Sequence, residues 1–273
     1  MNNPYNSGLE RNPANFQPLT PLTFLERAAS VYPEHTAIIH GKLKRSYSDF
    51  YSRSLRLASA LSSQGIKRGD TVSAILSNTP AMLEAHYGVP MCGAVLHSIN
   101  TRLDPDTIAY QLDHSDAKAL IVDREFLDAV KISLELSEVS PILIDYNDSE
   151  YPVLDSLPEA IEYEAFLLQG DTNYEWLMPE DEWDAISLNY TSGTTGNPKG
   201  VVSHHRGAYL LAQGNAMIAS IKKHSVYLWT LPMFHCNGWC FPWTMSAIIG
   251  THVCLRHVRA KPIWESLEKH KVT

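Results

Sequence analysis

Cysteine is scarce, with four residues in a chain of 273. So few thiols do not make a disulfide scaffold, and reduced cysteines in the cytoplasm are expected. No apolar run approaches the ~18–20 residues that cross a bilayer. The polar start MNNPYNSGLERNP carries an acid and has neither the pattern of a signal peptide nor that of a transit peptide. An excess of basic charge is missing too. Twenty-two Lys and Arg face 30 Asp and Glu, a formal net charge of −8, which is the wrong sign for a nucleic-acid partner. Neither Gly-x-Gly-x-x-Gly nor the Walker loop nor a Gly-x-Ser-x-Gly elbow occurs, so the usual dinucleotide, P-loop and hydrolase signatures are excluded. What is present is ordinary globular composition, 44% hydrophobic and 19% charged, in a length that suits one large domain or two small ones.

The acid is concentrated. Residues 145–184 hold 13 of the 30 acidic residues and no Lys or Arg, leaving the rest of the chain mildly basic. This segment reads as a solvated surface excursion, with an acidic docking segment as the alternative. Residues 1–17 read as a loose N-terminal extension.

From residue 18 the pattern is α/β. A helix ends at Pro33, and TAIIHG and a second short strand follow. Ser48 is a candidate cap for a helix whose Phe50, Ser54, Leu57, Ala58 and Leu61 share one face. TVSAILS, AVLHSI, ALIVD and PILID read as strands, separated by helices that begin at Pro80, after Asp104-Pro105 and at EFLDAVKIS. A short helix is expected over 158–169. DAISLNYT, VYLWTL and THVCL read as further strands, with helices near 204–221 and 262–270. Continuous apolar strands between helices imply mostly parallel sheets flanked by helices in βα repeats. After the last helix the alternation calls for another strand, so the chain is expected to be part of a longer protein.

Chemistry concentrates at Tyr190-Thr-Ser-Gly-Thr-Thr-Gly-Asn-Pro-Lys-Gly200. Glycines let backbone N–H groups approach an anion, hydroxyls donate to phosphate oxygens, and Lys199 adds a point charge. A helix directly after the loop would offer its positive N-terminus. The direct reading is a polyphosphate site; a loop merely rich in small residues is the alternative.

The string Leu188–Gly200 resembles the signature loop of the adenylate-forming (AMP-binding) enzymes, which include acyl-CoA synthetases and peptide-synthetase adenylation domains. Leu231-Pro-Met-Phe-His-Cys-Asn-Gly-Trp239 is similar to the family's Pro-x-x-His segment. Gly65-Ile-Lys-Arg-Gly-Asp-Thr-Val72, Asn78, Gly93-Ala-Val-Leu and Asn100-Thr-Arg-Leu103 resemble its early segments. The resemblance spans 18–273, a partial N-terminal domain of the family fold. Its wording is closest to the short- to medium-chain acyl-activating branch of bacteria and plant peroxisomes.

The resemblance implies a carboxylate–CoA ligase. ATP, with Mg²⁺, activates a small carboxylic acid to an acyl-adenylate, and coenzyme A then takes the acyl group. It implies that Thr191, Ser192, Gly193, Thr194, Thr195, Gly196 and Lys199 hold the β- and γ-phosphates. His235 would orient the carboxylate and gate the acyl tunnel, and Asn237, Gly238 and Trp239 would shape the acyl pocket. The family's Thr-Gly-Asp and Thr-Glu motifs do not occur in 201–273. The family's C-terminal lid is accordingly expected to be absent, and a fragment that binds nucleotide weakly or not at all stays open as an alternative. The implied location is the cytoplasm, or the peroxisome in a plant.

Other clusters read more plainly. His235, Cys236, Cys240, His252, Cys254 and His257 have poor zinc spacing. His204-His205 reads as a surface or capping pair. Among the aromatics of 229–243, only Trp239 is assigned to the site.

Overall fold

The computed structural model describes residues 3–192 and 197–273. Helix α1 (Leu22–Val31) leads into strands β1 (Thr36–His40) and β2 (Leu43–Ser46), which turn at Gly41 with φ 58°. Helix α2 (Tyr47–Ser63) is capped by Ser46 rather than Ser48. The Ser46 hydroxyl accepts the Asp49 N–H at 3.1 Å, and the Asp49 carboxylate accepts the Ser46 N–H at 3.0 Å. That reciprocal capping box satisfies two donors at once, and a cap at Ser48 would forgo one of them. Phe50, Ser54, Leu57, Ala58 and Leu61 are all buried along this helix.

Regular alternation follows: β3 (Thr71–Ile75), α3 (Pro80–Met91), β4 (Val95–Ser98), α4 (Pro105–His114), β5 (Ala117–Asp123), α5 (Leu127–Leu136) and β6 (Ile142–Tyr146). Pro80 and Pro105 occupy first helical positions, where no N–H is needed. Beyond the acidic segment come β7 (Ile161–Glu162), α6 (Tyr163–Leu168), β8 (Ala185–Tyr190), β9 (Gly200–His204), α7 (His205–Ile218) and β10 (Val226–Leu228). Helix α8 (Phe241–Ala247), β11 (Thr251–Val253) and α9 (Ala260–His270) complete the described elements.

The strands form two sheets. One has seven strands in the order β7-β6-β5-β3-β4-β8-β9 and the other four in the order β10-β11-β1-β2. Pairing is parallel except for β8 with β9 and β1 with β2. Strand β9 departs from the expected loop-to-helix connection: the chain folds back beside β8 before α7 begins. Helices α2 and α3 pack on each other, α2 against the four-stranded sheet and α3 against the seven-stranded one, and so lie between the two. Helices α4 and α5 cover the opposite face of the larger sheet around Leu112, Leu120 and Val130.

Because α3 lies in that middle layer it is buried along its whole length, Glu84 and His86 included. Glu84 is fully buried, ion-paired to Arg45 and Arg53 and hydrogen-bonded by the Tyr163 hydroxyl at 2.8 Å. Burial raises its pKa, but the two guanidinium groups outweigh burial and hold it below the ordinary value.

The acidic segment is not simply solvated. Asp148 is buried and takes Arg256 at 2.9 Å and His40 at 2.8 Å. Asp145 pairs with Arg124 at 3.1 Å, Glu164 with Arg53 at 2.6 Å, and Glu182 with Arg206. Several of the acids concentrated here meet basic residues of the remaining chain, so the uneven charge pattern is partly neutralised by tertiary contact. The helix in this region is shorter than the sequence suggests, Tyr163–Leu168.

Candidate functional site

Strand β8 organises the site through its alternation. Ser187 and Asn189 project to one face, and Leu188 and Tyr190 to the other. On the first face the Asn189 Nδ2 donates to the Phe234 carbonyl at 3.1 Å, and the Asn237 Nδ2 donates to the Ser187 hydroxyl at 2.7 Å. The segment around His235 is thereby fastened to the end of β8. On the second face the Tyr190 hydroxyl meets His114 Nδ1 at 2.7 Å, and the Tyr110 hydroxyl donates to the Pro198 carbonyl at 3.4 Å. Burial, with the neighbouring Tyr110, pushes the Tyr190 phenol up to about 12, so it stays neutral at physiological pH.

At the carboxyl end of β8 the loop is closed by two bonds. The Thr191 N–H donates to the Lys199 carbonyl at 3.0 Å, and the Lys199 N–H donates to the Thr191 hydroxyl at 3.1 Å. Thr191, Ser192 and Lys199 are exposed. Gly193, Thr194, Thr195 and Gly196 lie outside the described residues. One expectation needs correction. Helix α7 does not follow the loop directly, because the five residues of β9 intervene, a path of roughly 17 Å. Its first turn is instead capped by His204, whose Nδ1 accepts the Gly207 N–H at 2.8 Å. His205 is buried against the Thr20 hydroxyl at 2.9 Å, so the pair is half cap and half core.

The second segment is unusual. Cys236, Asn237, Gly238, Trp239 and Cys240 have φ of 48°, 52°, 54°, 55° and 61°, one short left-handed turn. Cys236, Trp239 and Cys240 each cost roughly 1–2 kcal/mol in this region, whereas Gly238 and Asn237 tolerate it. The turn is held by Gly238 N–H to His235 O and Cys240 N–H to Asn237 O, both 3.0 Å, and by Asn215 Nδ2 to Trp239 O at 2.8 Å. Asn78 secures the approach to it. Its Nδ2 donates to the Trp229 and Leu231 carbonyls at 3.0 Å each, and its Oδ1 accepts the Met233 N–H at 2.8 Å. Strain of this kind survives only where the surroundings over-determine it, and such places cluster at functional sites.

The structure therefore joins Thr191, Lys199 and Asn237 through one strand end. His235 is exposed, Trp239 is 59% exposed, and Asn237 and Gly238 are buried. Trp229 and Trp243 are core residues. A cleft of about 1180 Å³ between α1, α2 and α7 includes none of the candidate residues. Among the described residues no group of three or more His, Cys, Asp or Glu gathers to hold a metal. Of the supporting residues, Asn78 and Asn189 stand in segments that carry the family resemblance, whereas Ser187, His114 and Asn215 lie outside them. The polar Ser and Asn alternating inside an otherwise apolar strand were the available signal.

The comparisons with known proteins now bear on this geometry. The family model described as AMP-binding enzyme matches residues 25–273. The chain belongs to the AMP-binding enzyme family. It is 49% identical to the peroxisomal acetate/butyrate–CoA ligase of Arabidopsis thaliana over 97% of this chain and 48% of that one. An acetate–CoA ligase of Humulus lupulus is 47% identical, with 97% of this chain and 49% of that one covered. The chain thus spans about half the length of the curated relatives it matches. Among solved structures, an anthranilate–CoA ligase in complex with anthranoyl-AMP superposes with a TM-score of 0.85 at 21% identity, covering 97% of this chain and 50% of that one. An o-succinylbenzoate–CoA synthetase of Bacillus subtilis in complex with ATP and magnesium gives 0.75 at 22%, covering 94% and 62%. The family match over residues 25–273 includes both the loop after β8 and the turn after His235.

Proposed function

We propose that this chain supplies the phosphate-gripping and acyl-facing half of an AMP-forming carboxylate–CoA ligase acting on a short- or medium-chain acid. A carboxylate oxygen attacks the α-phosphorus of ATP, the bond to the bridging oxygen breaks, and pyrophosphate leaves. The sulfur of coenzyme A then attacks the acyl carbon of the adenylate and expels AMP. Thr191, Ser192, Gly193, Thr194, Thr195, Gly196 and Lys199 neutralise charge on the departing pyrophosphate, which is where electrostatic help counts most. His235 orients the carboxylate, and Asn237, Gly238 and Trp239 form the wall against the acyl chain. Among the described residues no cluster of His, Cys, Asp or Glu fits Mg²⁺. The compartment proposed is the cytoplasm or the peroxisome; the name of the Arabidopsis acetate/butyrate–CoA ligase places that relative in the peroxisome.

The observation that supports this reading is the meeting of the two segments at one strand end, where open α/β sheets bind ligands. The test replaces the matching half of the Arabidopsis acetate/butyrate–CoA ligase with this chain and follows ATP–pyrophosphate exchange with C2–C10 acids. Acid-dependent exchange is expected, and Lys199→Ala should lower it roughly 10- to 200-fold through loss of a charge-assisted bond. Unchanged exchange with thioester formation lost would sink the assignment of the loop. The chain by itself is expected to release no AMP in an acid-dependent way.

A further inference from the structure

Gly238 is the point at which the left-handed turn meets the core. A Cβ there would lie 2.6 Å from Cζ3 and 2.9 Å from Cη2 of Trp229, so the edge of the indole rests directly on this backbone. The neighbours of Gly238 adopt the same φ with side chains attached. The glycine is needed for the close approach of the ring rather than for its dihedral alone.

The ring cannot retreat. The Trp229 backbone is fixed by its N–H to the Val253 carbonyl at 3.0 Å and by Asn78 on its own carbonyl. Tyr227 packs edge-on with centroids 5.0 Å apart. At the far end of the indole, Nε1 donates to His252 Nδ1 at 3.1 Å, with ring centroids 5.9 Å apart and 12° between planes.

We infer that His252, on β11, is a positioning residue for the acyl pocket: it holds the Trp229 indole, and the indole holds the turn Cys236–Cys240. The inference rests on the proposed function only for calling that wall an acyl pocket. An indole N–H is a donor only, so Nδ1 of His252 must keep its lone pair and the ring proton sits on Nε2. His252 is fully buried, and burial, with His86 nearby, pushes its pKa down to about 3. The acceptor on Nδ1 is therefore available throughout the physiological range. His252 touches none of the reacting groups. Its effect reaches the pocket through one ring.

The experiment uses the Arabidopsis ligase whose matching half is replaced by this chain, with His252→Phe, which keeps ring volume and removes the acceptor, and His252→Asn, which returns an amide oxygen near the Nδ1 position. Hydrogen exchange is read at the Gly238 and Cys240 amides against those of β3 and β5. Alkylation is read at Cys236, the one exposed thiol beside buried Cys92, Cys240 and Cys254. Butyryl-sulfamoyl-adenosine serves as the acyl-adenylate mimic. His252→Phe is expected to speed exchange at the two turn amides about 10-fold while β3 and β5 stay protected, the size of one lost buried hydrogen bond. The mimic should slow Cys236 alkylation in the parent, lose most of that protection in His252→Phe, and regain it in His252→Asn. Equal protection in the parent and His252→Phe overturns the inference and leaves the proposed function standing. No protection in the parent overturns the proposed function and the inference with it. Should His252→Phe not melt cooperatively, the parent decides. The Trp229 Nε1–H resonance must move when the mimic binds, and a resonance unmoved at saturation overturns the inference.

Discussion

The two segments that meet at the end of β8 are built in opposite ways. The loop after Tyr190 closes an ordinary antiparallel hairpin, with Thr191 and Lys199 bonded to each other and their side chains exposed. The turn after His235 is left-handed for five residues, rests on a buried indole, and is held by side-chain amides of Asn237 and Asn215. The difference matches what each would recognise. A polyphosphate is gripped by charge and N–H groups, which need little burial. An apolar chain is measured by shape, which needs walls that do not yield. The comparison predicts that substitutions in the turn act on stability, whereas those in the loop act on chemistry alone.

The largest effect is expected from Gly238→Ala. The added methyl meets the Trp229 ring, whose backbone and Nε1 are both fixed, so about 3 kcal/mol of stability or more is lost. Thermal or urea unfolding measures it, and a variant as stable as the parent would break the comparison.

Next comes acid. His252 and His86 have pKa values pushed down to about 3 and about 4 from 6.5, chiefly by burial. The unfolded chain takes up protons near 6.5 that the folded chain refuses, so this stability is present above pH 6.5 and is lost as pH falls toward 4. Each such group contributes about 1.4 kcal/mol per pH unit in that window. Urea unfolding between pH 6 and 4 should show a slope shallower by that amount in His252→Asn. The pKa of Glu84, below its ordinary value, adds a further loss only below about pH 4.5.

Asn78→Ala removes three hydrogen bonds to the segment 229–233, which leads from β10 into the turn. A loss of about 2 kcal/mol is expected, together with faster exchange at the Met233 amide. On the loop side, Lys199→Ala should leave the melting temperature unchanged while lowering pyrophosphate exchange. A clear drop in melting temperature would make the loop a structural element and erase the contrast.

Much of the frame was legible in the sequence, for identifiable reasons. The parallel strands are apolar runs, and Pro80, Asp104-Pro105 and Gly65 mark helix ends through backbone constraints that act locally. Strand β9 was not legible. Gly200–Val202 are exposed and Ser203 and His204 half-buried, so no buried face imposes a two-residue period, and only pairing with β8 makes it a strand. Ser46 was a cap in plain sight, since Asp49 stands three residues on, but the Ser at 48 competes for the same role. At the site, the hydroxyls and Lys199 suit the proposed phosphate loop by composition. The left-handed turn does not announce itself, because Cys236, Trp239 and Cys240 are types that ordinarily avoid that conformation. Long-range hydrogen bonds from the Ser187 hydroxyl and the side-chain amides of Asn189, Asn78 and Asn215 hold it in place. The link from His252 through Trp229 joins residues 23 apart and leaves no local trace.

The most direct test of the account is a split between two variants in ATP–pyrophosphate exchange, using the half-exchanged Arabidopsis ligase and acids of increasing chain length. Lys199→Ala should lower exchange by a similar factor for every acid. Trp239→Ala should leave the KM for ATP unchanged and reorder the acids, favouring longer chains. If both variants lower exchange uniformly across the acids, or if Lys199→Ala reorders them, the two segments do not divide phosphate and acyl recognition and the account is wrong.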